Sequence, residues 1–199
     1  MRARRARAAA IFWSTLAWPA LAFAHAQAGG TISFSSGFLH PISGLDHIVA
    51  MLAVGIWGAQ LGAPGIWLLP VTFPVVMAFG GFLALVGVPL PGIEIGIAIS
   101  AIGLGLAVCL EARPSLWIAA LLVGVFAIFH GHAHGAELPP GANGIAYSIG
   151  FVIATGLLHA TGISVGLVHR WLAGRVALRV AGAAIAVLGL GFLWRAVAS

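Results

Sequence analysis

The chain has 199 residues, 61% of them hydrophobic and only 7% charged, and it contains no lysine. A soluble domain of this size needs several times as many charges to cover its surface, so an ordinary water-soluble enzyme or binding module is excluded. The formal charge of +5 does not point to nucleic acid, because Arg2, Arg4, Arg5 and Arg7 supply the excess and the other five arginines nearly balance Asp46, Glu94, Glu111 and Glu137.

The N-terminus reads as a targeting segment. "MRARRAR" is a positive n-region, "AAIFWSTLAWPAL" an apolar core, and "AFAHAQA" offers small residues at cleavage-compatible spacing. Residues 1–24 are therefore expected to be a signal peptide, and cleavage after Ala24 would make His25 the new N-terminus. Cleavage after Ala26 or Ala28 and an uncleaved signal anchor are the alternatives.

Six apolar stretches follow, at about 38–60, 65–87, 91–110, 115–133, 142–168 and 176–195, near the length that crosses a bilayer. Turn-rich breaks separate them: "LGAPG", "VPLPG", "EARPS", "AELPPGANG" and "HRWLAGR". The expected fold is all-α, a polytopic membrane helix bundle with six transmembrane helices after the signal peptide, in one domain over residues 25–199. A cleaved signal puts the mature N-terminus outside. Six spans then place Arg113, Arg170, Arg175 and Arg179 on the cytoplasmic side and leave Arg195 alone outside, as the positive-inside rule favours. The start of span one and the end of span four then share the outer face.

Both of those ends carry chemistry. Span one opens "HPISGLDHIVAMLAVG" with His40, Asp46 and His47. Pro41 suits a first helical turn and disfavours helical backbone at His40, which is expected at or before the cap. Seven residues separate His40 from His47, about 10 Å on a straight helix, which is far for one shared ion. Either His40 folds back, or Ser43-Gly44 breaks the helix, or the two imidazoles serve different ions. Asp46 and His47 lie about 100° apart around the axis.

Span four ends "FAIFHGHAHGAELPP". His130 and His134 are four apart and share a helix face that Glu137 continues. His132 points elsewhere unless Gly131 and Gly135 let the helix unwind. Imidazole and carboxylate without thiolate suit Ni²⁺, Co²⁺ or Zn²⁺ rather than Cu⁺, and the single Cys109 allows no thiolate cage. Intramembrane ionisable groups of this kind are functional by default, although a lone histidine in such a chain is more often a helix-end hydrogen bonder.

Further candidates are His25, if freed as an N-terminus, Glu94 at the outer rim, and His159 deeper in span five as a relay ligand, proton acceptor or packing residue. Met51 reads as core rather than a soft ligand, Glu111 is expected to pair with Arg113, and His169 to lie solvated at the interface. Trp57, Trp67, Trp117, Trp171 and Trp194 lie near span ends, where tryptophan is usually interfacial.

The two motifs, "HPISGLDHIVAMLAVG" and "FHGHAHGAE", together resemble the paired signature of the HupE/UreJ family of nickel/cobalt permeases. The resemblance covers essentially the whole mature chain. It implies a signal-like N-terminus, six spans, and metal recognition by His40, Asp46 and His47, with His130, His132, His134 and Glu137 as the second motif. In the larger nickel/cobalt transporter family fewer residues separate the histidine from the Asp-His pair. The expected function is a secondary transporter importing Ni²⁺, or next Co²⁺, across a bacterial inner membrane. The ion is cargo and there is no prosthetic group. The expected partners are the ion, the lipid bilayer and nickel-enzyme maturation proteins of the hydrogenase or urease kind. No P-loop is present to drive transport. An intramembrane metallohydrolase with Glu137 as base, and a passive metal-binding subunit, are the alternatives from other classes.

Overall fold

A computed structural model describes residues 34–137 and 143–198, so the expected signal peptide and His25 lie outside the described residues. Every regular element there is helical: α1 (Phe34–Ser43), α2 (Leu45–Leu61), α3 (Gly65–Leu85), α4 (Ile93–Cys109), α5 (Leu116–Ala136), α6 (Gly144–Gly166, extended by a 3₁₀ turn at Leu167–Arg170) and α7 (Leu172–Ala198). Each of the six apolar stretches coincides with one helix, except that the first is split into α1 and α2. Among the described residues, four helices are long and apolar enough to cross a membrane, or five if the bent α1–α2 pair counts as one span. The 17-residue α4 is shorter than the expected stretch. "VPLPG" delays its start to Ile93, and about 25 Å of helix falls short of a hydrocarbon core of about 30 Å.

The helices pack as three intimate pairs, α3 on α5, α4 on α7, and α1–α2 on α6. In a lipid-like setting such pairs are held by close van der Waals contact rather than by hydrophobic segregation. Gly131 is the clearest case, since a Cβ there would collide with the carbonyl of Met77 on α3. α5 therefore stays helical through Gly131 and Gly135. These glycines admit α3 and do not unwind the helix.

The core that results is led by Trp57, Phe73, Met51, Leu69 and Leu104. Trp67, Trp117, Trp171 and Trp194 project outward, at 65% exposed or more. Trp57 departs from the interfacial expectation: it is 2% exposed, and its indole N–H donates to the Ala112 carbonyl at 2.8 Å. A buried indole needs an acceptor, and the loop after α4 supplies one.

That loop also corrects the pairing expected for Glu111. α4 ends with the Ala112 N–H bonded to Ala107 O and the Glu111 N–H to Val108 O, the paired closure of a Schellman motif. Glu111 takes the left-handed position, with φ 50°, that glycine usually fills. Its carboxylate there accepts from Arg175 Nε at 3.1 Å and Nη2 at 2.8 Å on α7, rather than pairing with Arg113. That fork, with Arg175 foremost, holds the Glu111 carboxyl below its ordinary value of 4.5. His169 turns back on its own helix, its Nδ1–H donating to Gly166 O at 2.9 Å.

Candidate metal site

The first motif is built on a helix break. α1 and α2 meet at Gly44 with an 83° bend, and of the three arrangements open to His40 and His47 the break is the one adopted. His40 is inside α1 rather than before its cap, because the helix begins upstream at Phe34 and Pro41 falls in its last turn. Proline there removes one intrahelical bond near an end, which a helix tolerates better than at its middle. The Ser43 hydroxyl donates to the His40 carbonyl at 2.7 Å and finishes the turn.

Gly44 then has a second duty. A Cβ on it would lie 2.8 Å from both Asp46 Oδ1 and His47 Nδ1. With no side chain in the way these adjacent residues, expected on different faces, meet at 2.9 Å. The His47 Nδ1–H donates to the Asp46 carboxylate, which leaves Nε2 as the bare nitrogen. That atom is buried and has no hydrogen-bond partner.

The second motif approaches from α5. His134 Nδ1 is 2.9 Å from His40 Nε2, and Glu137 Oε2 is 3.3 Å from the same His40 nitrogen. One ligand atom from each of His40, His134 and Glu137 falls within 4.8 Å of the others, a spacing that one divalent ion can span. The set combines two imidazoles with a carboxylate, which suits a borderline divalent cation. The C-terminal ends of α1 and α5 converge here, and their free carbonyls favour positive charge. His40 above all holds the Glu137 carboxyl below its ordinary 4.5.

Behind this rim the rings continue inward. His47 lies against His134, with centroids 4.4 Å apart, and against His130 at 5.1 Å. Exposure falls along the series, from 62% for the Glu137 side chain to 31% for His40, 8% for His134 and zero for His130. The tautomer of His130 follows from its neighbour on α4. The Ser100 hydroxyl donates to Ile97 O at 2.6 Å, so its oxygen accepts the His130 Nε2–H at 2.9 Å. The remaining Nδ1 is buried and unpartnered, as is His134 Nε2. Three imidazoles in contact thus each keep a buried nitrogen without a protein partner, a costly arrangement that a bound cation relieves.

Not every predicted residue joins the cluster. His132 faces away, its Nε2–H donating to Val88 O at 2.7 Å and so pinning the α3–α4 loop. Glu94 lines a surface pocket that it shares with Glu137, at the rim. His159 lies deeper, beyond Phe73. Residues that the sequence did not single out complete the walls: Ser100 orients His130, Phe151 is edge-on to His134 at 4.5 Å, and Tyr147 flanks His40 at 5.9 Å. Tyr147 is the chain's only tyrosine, and Ser100 is a polar residue inside an apolar run. Either oddity could have been noticed. Phe73 carries no such mark among eleven phenylalanines.

A broken apolar helix, a bundle of long apolar helices and an imidazole–carboxylate cluster at one end define a membrane-type helical protein with a candidate cation site. The chain belongs to the HupE/UreJ family: the HupE / UreJ protein family model matches residues 13–192. It is 44% identical to Protein HupE of Rhizobium leguminosarum bv. viciae over 182 residues, covering 90% of this chain and 94% of that protein. No solved structure matches it.

Proposed function

We propose that the chain is a secondary permease that carries Ni²⁺, or next Co²⁺, inward across a bacterial inner membrane. Residues 1–24 are then a removed signal, and residues 25–199 cross the membrane six times with a periplasmic N-terminus. The observation that carries this reading is the convergence of His40, His134 and Glu137 ligand atoms at one end of an apolar bundle. Arg113, Arg170 and Arg175 belong to the opposite end, so the positive-inside rule turns the cluster outward. Membership of the HupE/UreJ family and the likeness to Protein HupE support the same reading.

Glu137 and His40, the most exposed members, meet the hydrated ion first. His134 links them to His47 and His130, so the ion exchanges water for imidazole as it moves inward. Asp46 acts through His47: a carboxylate on the far nitrogen fixes the tautomer and raises ligand basicity. The membrane potential supplies about 2.3 kcal/mol per charge per 100 mV, doubled for a divalent ion. The delivered ion would pass to nickel-enzyme maturation proteins.

The test is flux of Ni²⁺ into proteoliposomes containing the purified chain alone. Flux sustains the permease, while binding without flux would make the protein a metal-binding accessory subunit instead. Imidazole binds metal only when neutral and ordinarily titrates near pH ~6.5, so uptake should fall as the outer pH drops from about 7.5 to about 5. Glu137, whose carboxyl is held below 4.5, keeps its charge across that interval, and its contribution is lost only at lower pH. A flat profile down to pH ~5 would count against capture by a solvent-exposed imidazole.

A further inference from the structure

Below the imidazole stack the bundle holds polar groups that capture leaves unused. His159 on α6 is 2% exposed, and neither ring nitrogen makes a hydrogen bond of good geometry. Thr155, one turn earlier on the same helix face, is fully buried, and its hydroxyl is also unpartnered. Its neighbours on α6 behave differently. Thr161 and Ser164 donate to Leu157 O and Ala160 O, the usual bond of a helical hydroxyl to the carbonyl one turn back. Thr155 forgoes that bond although it is deeper in the protein.

A third group comes from α3. Pro70 and Pro74 are both inside this helix. Proline has no N–H, so the Pro70 carbonyl loses the partner that residue 74 would supply. That freed carbonyl lies beside the His159 ring. Non-bonded backbone at membrane depth is tolerated where it lines a polar path. The backbone of His159 is held from the other side, because α2 lies against its carbonyl at Gly55, where a side chain would not fit.

Phe73, on the same helix as the two prolines, separates these groups from the outer stack. Its ring is 5.5 Å from His130 and 5.5 Å from His159, edge-on or nearly so to both, and it is fully buried. We propose that His159, Thr155 and the freed Pro70 carbonyl form an inner station for the divalent ion, entered from the His130 side by displacement of the Phe73 ring. This rests on the permease reading above. One imidazole and two neutral oxygens hold the ion weakly and leave it part of its water, and an ion in transit needs a site it can leave.

The experiment uses the full chain in proteoliposomes, with Ni²⁺ flux and equilibrium Ni²⁺ binding measured on the same preparations. Absence of flux in the unaltered protein defeats the permease reading itself. Given flux, His159→Ala should lower it about tenfold or more while outer-site affinity stays within about twofold, the loss expected when a relay ligand is removed and capture is spared. Flux within about twofold of the unaltered protein, or a parallel fall in affinity, overturns the inner station and leaves the permease standing. Because His159→Ala leaves a cavity and could unsettle the fold, a second variant reports occupancy directly. His159→Cys in a Cys109→Ser background, saturated with Co²⁺, should show thiolate-to-cobalt charge-transfer absorption in the near ultraviolet. A folded variant without that band overturns the proposal.

Discussion

α5 delivers His130 and His134 from one unbroken helix and Glu137 from its C-cap, whereas His40 and His47 reach the same place only because α1 and α2 meet at an 83° bend. The difference is one of spacing. Residues four and seven apart already share a helical face, so the second motif needs no distortion, and its glycines serve packing against α3 instead. His40 and His47 are held on opposite sides of a break, with Asp46 and His47 turned together in the gap that Gly44 leaves. Glycine therefore means two things in one site: in α5 it lets a neighbouring helix approach, and at the bend it lets two side chains meet.

If the two motifs act as one site, the residue of the second that touches both histidines of the first should be the most sensitive. His134 is that residue, 2.9 Å from His40 and with its ring 4.4 Å from that of His47. His134→Ala should reduce Ni²⁺ uptake by about 100-fold or more, beyond the 10- to 100-fold typical of removing an outer-shell partner. Uptake assays normalised to membrane expression check this, and retention of half the activity would mean that the motifs work separately. Asp46→Asn comes next. It keeps the size of the side chain and removes its charge, so the His47 tautomer is no longer fixed and affinity should fall by about 10-fold or more. Binding measured by calorimetry on the detergent-solubilised protein decides it.

The parts of this arrangement legible in the sequence were those governed by local periodicity. Apolar runs located the helices, and four-residue spacing placed His130 with His134. The 83° bend was one of three possibilities that spacing left open, since nothing local to "HPISGLDH" says which way a chain turns after Ser43. Trp57 and Glu111 diverged because their partners, Ala112 and Arg175, come from separate segments, 55 and 64 residues away. A residue type announces that it needs an acceptor or a counter-charge but not which one it finds. Phe73 was invisible for the same reason, since only its position between two imidazoles distinguishes it from an ordinary core ring.

The glycine contrast can be broken directly. Gly44→Ala places a methyl group against Asp46 and His47, with the backbone at φ −99° and ψ 121° able to accept it. Overpacking of this kind costs roughly 1–3 kcal/mol, and the strain falls on the Asp46–His47 pair, so affinity should drop about tenfold with little loss of folded protein. Gly131→Ala drives the methyl into the backbone of α3, and should lower the thermal midpoint and the yield before it touches affinity. Monodispersity and melting of both variants, set beside their Ni²⁺ binding, separate the two kinds of glycine. Reversed outcomes would mean that the bend is structural and the α5 contact functional.

The smallest effect is expected at the opposite end of the bundle, where polar groups are satisfied by one another. Arg175 is half exposed and forked onto Glu111, and exposed ion pairs contribute little to stability. Glu111→Ala removes the pair and keeps a Cβ in the left-handed position, so its melting midpoint should move down slightly. Glu111→Gly removes the pair and also relieves that position, so it should melt at or above Glu111→Ala. Ni²⁺ binding should be unchanged in both, because no atom of this loop joins the imidazole cluster. A loss of binding would show that the arginine end and the histidine end are coupled through α5, whose first turn follows this loop and whose last turn carries His134.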